Sequence, residues 1–188
     1  VFGELVFLNG YIIKNRNNIK DSINSWTAPA ALHDFNLGEN IFEIKSTAIL
    51  PAHYVNISKP KQLDPSLIKG KIYLIVFEIQ EDDGPNGVSL PQLIKKIESK
   101  CEENQDIKEK FKELLNTRGY FEEHESKYKD DKFILSAVYS FLIDEKFPNL
   151  NLSNKPKQIE NLKYDIDITQ CDDWKKNIHE IIEIIKKS

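Results

Sequence analysis

The chain has 188 residues, of which 40% are hydrophobic and 30% charged, so it can bury a sizeable core and is not an intrinsically disordered protein. Its formal net charge of −4 excludes a protein coated in positive charge, although a nucleic-acid enzyme needs only a local basic surface. No apolar run approaches the roughly 20 residues that cross a bilayer, and we therefore expect no membrane-spanning segment.

The first half of the sequence predicts one helix followed by four strands. Leu5, Leu8 and Ile12 recur at helical spacing, whereas the polar residues after Lys14 are predicted to form the helix end and a loop. Gly38 lies between two apolar runs, which predicts a β-hairpin. The predicted elements are a helix at residues 3–14, a loop at 15–25 and strands at 33–37, 41–49, 53–58 and 71–80.

The second half of the sequence predicts two helices, two strands and a last helix. Ser89 is the predicted N-cap of the first of these helices, and Gly119 lies just past the end of the second. Asp172 is predicted to cap the last helix, whose apolar face extends to Ile185. The predicted strands are 133–143 and 162–168. This order of elements predicts a mixed α/β fold in one domain, residues 1–188.

The cysteines and the start of the chain bear on localisation. Cys101 and Cys171 match no zinc or redox spacing, and we interpret them as reduced thiols of a cytoplasmic protein. The opening residues, from Val1, are apolar and lack the basic start and cleavage site of a signal peptide. We interpret the domain as the C-terminal part of a longer chain.

The strongest chemical pattern is the triplet Glu43-Ile44-Lys45 on a predicted strand. Residues two apart on a strand point to the same face, so Glu43 and Lys45 would share one side while Ile44 faces the core. A divalent ion and a lysine together supply the charge neutralisation and the activated water that phosphodiester hydrolysis needs. Mg²⁺ prefers oxygen ligands, and carboxylates together with the Ile44 carbonyl are suitable metal ligands.

The bare acid-x-Lys pattern is common in this chain, and two interpretations of the triplet stay open. Glu43 and Lys45 differ from the other matches because apolar residues surround them, and placing charges there has a desolvation cost. A salt-bridged pair on a half-exposed strand is the alternative to a catalytic site. The other triplets, mostly in polar segments where solvated charge explains them, begin at Glu98, Asp106, Glu125, Asp130, Asp144 and Asp173.

Short motifs along nearly the whole chain resemble a family of PD-(D/E)XK nucleases. In order, they are GELVFL, Trp26 with a nearby proline, HDF, FEIK, Ile57-Ser58 and QLD. The family pattern reads GELLFL, Trp with Gly-Pro, HDF, EVK, IS and QLD. The segments IYLIVFEI, VSLP, Arg118-Gly119-Tyr120 and Phe147-Pro148 are also similar to that family. One departure is Thr27-Ala28-Pro29 in place of Gly-Pro, which does not concern the metal site.

The resemblance implies a fold, a site and a function. The fold is restriction-endonuclease-like, with a mixed central sheet flanked by helices. Asp34 and Glu43 would be ligands of Mg²⁺, for which Mn²⁺ substitutes, and Lys45 would be the catalytic lysine. Glu4 would be an accessory acid from the first helix, and Gln62 would contact the substrate phosphate or the attacking water. Bacterial members are regarded as nucleases of restriction or phage-defence systems, so the expected partners are DNA and other subunits of such a system.

Several of these assignments have alternatives. Glu4 is also a carboxylate that the helix dipole favours at a helix start, and Gln62 is equally consistent with a surface glutamine. We interpret His33 as a packed or hydrogen-bonded residue rather than as a metal ligand. A local basic stretch has two interpretations: it binds the phosphate backbone of a nucleic acid, or it is a solvated loop. Its residues are Lys59, Lys61, Lys69 and Lys71. For the whole protein, the alternative to a DNA endonuclease is a nucleic-acid-binding or scaffolding subunit that cleaves weakly.

Overall fold

Residues 1–49, 51–150, 158 and 161–188 are described by a computed structural model, in which helices cover a mixed β-sheet. The α-helices are α1 (Phe2–Phe7), α2 (Ile19–Ser25), α3 (Leu90–Lys100), α4 (Gln105–Asn116) and α5 (Ile178–Lys187). The strands are β1 (Phe35–Leu37), β2 (Asn40–Thr47), β3 (Tyr54–Ile57), β4 (Lys71–Glu81), β5 (Val88–Ser89), β6 (Lys132–Ile143) and β7 (Tyr164–Asp167). A π-helical segment, Leu8–Ile13, continues α1, and 3-10 turns occupy Pro60–Leu63, Pro65–Leu67, Glu122–Lys127, Ile168–Gln170 and Asp172–Trp174. Across these described ranges, every helix is too short or too polar to cross a membrane.

Five strands form the central sheet in the order β1-β2-β4-β6-β5. Strands β2 and β4 run parallel, with Glu43 opposite Leu74 and Lys45 opposite Val76, whereas the other neighbouring pairs are antiparallel. A parallel pair needs a long crossover, and the connection between β2 and β4 contains β3 and two 3-10 turns. The mixed sheet flanked by helices confirms the predicted α/β class and is compatible with a restriction-endonuclease-like fold.

The helices cover one face of the central sheet. Because side chains alternate along β2, Phe42 and Ile44 point to this face. They belong to a hydrophobic core that includes Leu5 of α1, Ile97 of α3 and Ile181 of α5. The first and last helices of the chain therefore bury their apolar side chains in the same core.

A second, two-stranded sheet covers the opposite face. Strands β3 and β7 pair antiparallel, and their apolar side chains pack with Ile41 of β2 and Leu74 of β4. Glu43 and Lys45 lie on this face because they alternate with Phe42 and Ile44. The two charged side chains therefore lie beside the edge of an apolar layer.

Most of the predicted elements are confirmed. The helix predicted at residues 3–14 is present, although its second half is π-helical. Ser89 forms a capping box with Gln92 at the start of α3, and Gly119 has a φ of 83°, which glycine adopts readily. The strands predicted at 33–37, 41–49, 53–58, 71–80, 133–143 and 162–168 correspond to β1, β2, β3, β4, β6 and β7, with shifted ends.

Two local predictions are wrong, and in both places an asparagine caps a helix. Residues 15–25, predicted as helix end and loop, contain α2, because the Asn18 side chain accepts a backbone N–H at its start and Ile23 is buried. Asp172 does not cap the last helix but begins a 3-10 turn. Helix α5 starts later, where the Asn177 side chain accepts a backbone N–H.

Candidate active site

The candidate site lies where the β1–β2 ladder stops. Phe35 and Phe42 form the end pair of this ladder. One residue before β1, Asp34 turns its side chain back to β2, and its Oδ2 accepts a hydrogen bond from the Ile44 N–H at 2.7 Å. The N–H and C=O groups of one strand residue point to the same side, so the Ile44 carbonyl faces this edge as well. The sheet edge thus places the Asp34 carboxylate beside a backbone carbonyl oxygen.

Glu43 is buried, with only 1% of its surface exposed. Its Oε1 accepts a hydrogen bond from Lys45 Nζ at 2.7 Å, whereas its Oε2 has no hydrogen-bond partner among the residues that the structure describes. Burial and then the charge of Asp34 raise the pKa of Glu43 to about 8. A buried carboxylate oxygen without a donor is unfavourable, and a cation bound at Oε2 would relieve that cost.

Asp34 is in a similar electrostatic environment. Burial and then the charge of Glu4 raise the pKa of Asp34 to about 6, against the opposing effects of the Ile44 N–H, Lys45 and Arg118. The nearby positive charges therefore do not compensate fully for the burial of the two carboxyl groups. Neighbouring acids with raised pKa values are more common at functional sites than elsewhere.

Gln62 contacts Lys45 through its side chain and His33 through its backbone. Lys45 Nζ lies 3.3 Å from Gln62 Oε1, which accepts its hydrogen bond. The backbone carbonyl oxygen of Gln62 lies 2.9 Å from His33 Nε2. Because a carbonyl oxygen only accepts hydrogen bonds, Nε2 carries the proton. Gln62 is 8% exposed, so the alternative of a surface glutamine is wrong. His33 is hydrogen-bonded, as predicted, through the ring nitrogen that faces Gln62.

Glu4 reaches the site from the first turn of α1. A Cβ atom on Gly3 would collide with Ser46 Oγ, so the glycine lets the helix start approach β2 closely. Glu4 Oε2 accepts hydrogen bonds from Trp26 Nε1 at 2.8 Å and Arg118 Nε at 2.9 Å. Burial raises the pKa of Glu4, and the Arg118 guanidinium and the hydrogen bonds from Arg118 and Trp26 act against this rise.

The structure therefore brings the residues of the sequence-based site together. Asp34, Glu43 and Ile44 line the edge, Lys45 contacts Glu43 and Gln62, and the charge of Glu4 acts on Asp34. A residue to which sequence reasoning gave no role is Arg118, which had been noted only as part of a motif. The sequence offered one signal for Arg118. The chain has two arginines, and this one lies just after the amphipathic helix α4.

The basic stretch divides into two places. Lys59 and Lys61 are exposed, the first just before the 3-10 turn that carries Gln62 and the second within it. Lys71 pairs with Asn40 at the start of β2, away from this turn. The first two lysines therefore lie near the candidate site in the chain, whereas the other two lie at the opposite end of β2.

The donor atoms fit a hard divalent cation. No group of three or more His, Cys, Asp or Glu side chains capable of holding a metal occurs within residues 1–49, 51–150, 158 and 161–188. The ligands offered by the chain would be the carboxylates of Asp34 and Glu43 and the carbonyl of Ile44. Mg²⁺ commonly binds through one or two carboxylates and completes its shell with water and substrate phosphate. The observation that supports this fit is Glu43 Oε2, which accepts no hydrogen bond from the part of the chain that the structure describes.

Comparison with known proteins identifies the family. A family model described as "Putative PD-(D/E)XK family member" (DUF4420) matches residues 1–169, a range that contains every residue of the candidate site and excludes α5. No curated protein and no solved structure matches the chain. The match covers most of the sequence and agrees with the motifs and the mixed sheet. The chain therefore belongs to the DUF4420 family of PD-(D/E)XK-type proteins.

Proposed function

We propose that the protein is a Mg²⁺-dependent phosphodiester hydrolase that cleaves DNA as an endonuclease. The observation that carries this proposal is that the buried Oε2 of Glu43 has no hydrogen-bond partner within the described residues, while the charge of Asp34 acts on the same side chain. Membership of a PD-(D/E)XK-type family supports the reaction class. Mn²⁺ is expected to substitute for Mg²⁺, because it accepts the same oxygen ligands.

The proposed mechanism divides the two oxygens of Glu43 between two tasks. Oε2, with Asp34 and the Ile44 carbonyl, would hold the ion, while Oε1 keeps Lys45 Nζ at 2.7 Å. When bound, the ion neutralises phosphate charge and lowers the pKa of a water molecule. Lys45 is placed to orient the attacking water and to stabilise the negative charge that develops on the phosphate.

The surrounding residues would support Lys45 and Asp34. Gln62 accepts one hydrogen bond from Lys45, and its amide nitrogen remains able to donate to a phosphate oxygen or to the water. Glu4 would act as the accessory acid through its charge, because Trp26 and Arg118 already occupy its Oε2. Exposed Lys59 and Lys61 would contact the flanking phosphates of the DNA backbone.

The proposed setting is a cytoplasmic restriction or phage-defence system in which other subunits accompany this protein. The support for this setting is the motif resemblance described above, which extends from GELVFL to Phe147-Pro148. A strongly basic surface is not needed for such a role, because an ion and a few lysines supply the local positive charge.

The test is cleavage of supercoiled plasmid DNA in Mg²⁺, in Mn²⁺ and in EDTA. We expect nicking or linearisation with either ion, none in EDTA, and at least a 100-fold loss for Glu43→Gln, in line with the roughly 10²–10³-fold effect of removing one preorganised charged group. Glu78→Gln is the matched control, because Glu78 is a buried glutamate on the same sheet face whose Oε2 has protein donors. Cleavage in EDTA, or full activity of Glu43→Gln, would contradict the proposal. DNA binding that is insensitive to Mg²⁺ and accompanied by no cleavage would favour the nucleic-acid-binding subunit instead.

A further inference from the structure

Arg118 is a buried arginine that joins three parts of the chain. It follows α4, and its side chain is only 6% exposed. Nε donates to Glu4 Oε2 at 2.9 Å, Nη2 donates to the Thr27 carbonyl at 2.6 Å and Nη1 donates to the Leu114 carbonyl at 3.1 Å. The guanidinium thus connects the start of α1, the segment after α2 and the end of α4.

An aromatic ring fixes the plane of this guanidinium. Arg118 Cζ lies 3.9 Å from the centroid of the Trp26 ring, and Trp26 Nε1 donates to the same Glu4 oxygen that Arg118 contacts. A planar fork that also stacks on an aromatic ring is a geometry that lysine cannot reproduce. The arrangement therefore depends on the shape of the arginine as well as on its charge.

Thr27 carries this restraint to Asp34. The Thr27 N–H donates to the Asp34 carbonyl at 3.0 Å, and the Thr27 hydroxyl contacts the carbonyl oxygens of His33 and Asp34. Arg118 holds the carbonyl of the same threonine. The backbone of Asp34 is thus attached to Arg118 through one intermediate residue, while its side chain is held by the Ile44 N–H.

We propose that Arg118, which is anchored by Glu4 and Trp26, is a positioning residue that acts through Thr27 to hold Asp34 where it can share an ion with Glu43. This inference rests on the proposed metal-dependent hydrolysis. A buried ion pair such as Arg118–Glu4 adds little stability compared with apolar packing. The location of this pair beside Asp34 therefore points to a role in the site. Residues that orient metal ligands typically change metal affinity by about 10- to 100-fold when they are replaced.

The experiment compares Arg118→Met and Arg118→Lys with Arg16→Met. Arg16 is the other arginine of the chain, and its guanidinium makes an exposed contact with the Ser188 carbonyl, so it is the matched control. Mn²⁺ affinity is measured by titration calorimetry at a temperature where circular dichroism shows each variant to be fully folded. Plasmid cleavage is measured on the same samples.

We expect Arg118→Met to weaken Mn²⁺ binding by at least about 10-fold and to lower cleavage with it. Arg118→Lys should show a smaller loss, because it keeps the charge beside Glu4 but not the fork, and Arg16→Met should match the wild type. If Arg118 only filled space, its replacement would lower the melting temperature without changing the Mn²⁺ affinity of the folded protein.

Wild-type Mn²⁺ affinity in folded Arg118→Met would overturn the inference and leave the proposed hydrolase intact. If Arg118→Met does not fold, Arg118→Lys decides, and wild-type affinity in that variant overturns the inference equally. Wild-type Mn²⁺ binding that survives both Asp34→Asn and Glu43→Gln would instead remove the proposed function, and this inference with it.

Discussion

Glu43 and Glu78 are buried glutamates on the same face of the central sheet, on the neighbouring strands β2 and β4. Glu78 is 8% exposed, and its Oε2 accepts hydrogen bonds from the Ala52 N–H at 2.8 Å and the Tyr139 hydroxyl at 3.2 Å. Glu43 is 1% exposed, and its Oε2 has no partner in the described part of the chain. Burial alone thus does not distinguish a structural acid from a candidate metal ligand, whereas the hydrogen-bond partners do.

The surroundings of the two glutamates explain why only one suits a cation. Glu78 has donors that belong to the folded chain, so its carboxylate needs no other partner. Glu43 lies beside Asp34, whose negative charge raises the pKa of Glu43 further. A metal ion at this edge would interact with both acids and remove the unfavourable interaction between them.

The largest expected effect is the loss of cleavage in Lys45→Ala. Lys45 would act on the water and on the charge of the transition state, so its removal should lower the cleavage rate by about 10²–10³-fold or more. Folding and metal binding should be retained, because Asp34 and Glu43 remain. Plasmid cleavage and Mn²⁺ titration on the same variant measure the two properties. Cleavage at the wild-type rate would make Lys45 a structural ion-pair partner only.

The metal-free protein should lose stability as the pH rises from 6 to 8. The pKa of Glu43 rises from 4.5 to about 8 on folding, so its contribution is fully present below pH 4.5 and is lost as the pH rises through 8. The expected slope is about 1.4 kcal/mol per pH unit, and the free energy of unfolding should fall by about 2 kcal/mol over this range.

Urea unfolding in EDTA at pH 6 and pH 8 measures this loss. Glu43→Gln carries the same histidines but cannot ionise at this position, so its free energy of unfolding should change much less between the two pH values. Saturating Mg²⁺ should remove most of the loss in the wild type, because the ion stabilises both carboxylates in their charged forms. Identical pH dependence in wild type and Glu43→Gln would show that Glu43 is already ionised in the metal-free fold.

Glu78→Gln should have the smallest effect. The amide oxygen can still accept the Ala52 N–H, but a charge-assisted hydrogen bond is lost, at a cost of about 1 kcal/mol in the free energy of unfolding. Cleavage and Mn²⁺ affinity should equal those of the wild type. A tenfold loss of Mn²⁺ affinity in this variant would mean that the metal site extends to β4.

The sequence predicted the elements and residues that depend on local pattern. Glu43 and Lys45 share a face because they are two apart on a strand, and Asp34 lies one residue before the paired strand of the same hairpin. Gln62 lies 17 residues from Lys45, and only the family motif pointed to it. Spacing on a short element therefore predicts which side chains share a face, whereas the family resemblance was needed to choose this triplet among the others.

The residues that escaped prediction depend on contacts between distant segments. Arg118 and Glu4 are 114 residues apart in the chain, and their pairing follows from the tertiary fold, which brings the residue after α4 to the start of α1. No periodicity within either helix encodes that contact. The missed helix α2 has a different cause, because the cap at Asn18 lies in a polar stretch in which only a few apolar residues mark the buried side.

The most direct test of the account is calorimetric titration of Mn²⁺ into wild type, Glu43→Gln and Glu78→Gln at pH 8. The account predicts that wild type and Glu78→Gln bind Mn²⁺ with equal affinity, whereas Glu43→Gln binds at least about 10-fold more weakly because it has lost a ligand charge. Asp34→Asn should behave like Glu43→Gln. Equal Mn²⁺ affinity in wild type and Glu43→Gln would contradict the claim that Oε2 of Glu43 holds the proposed metal ion.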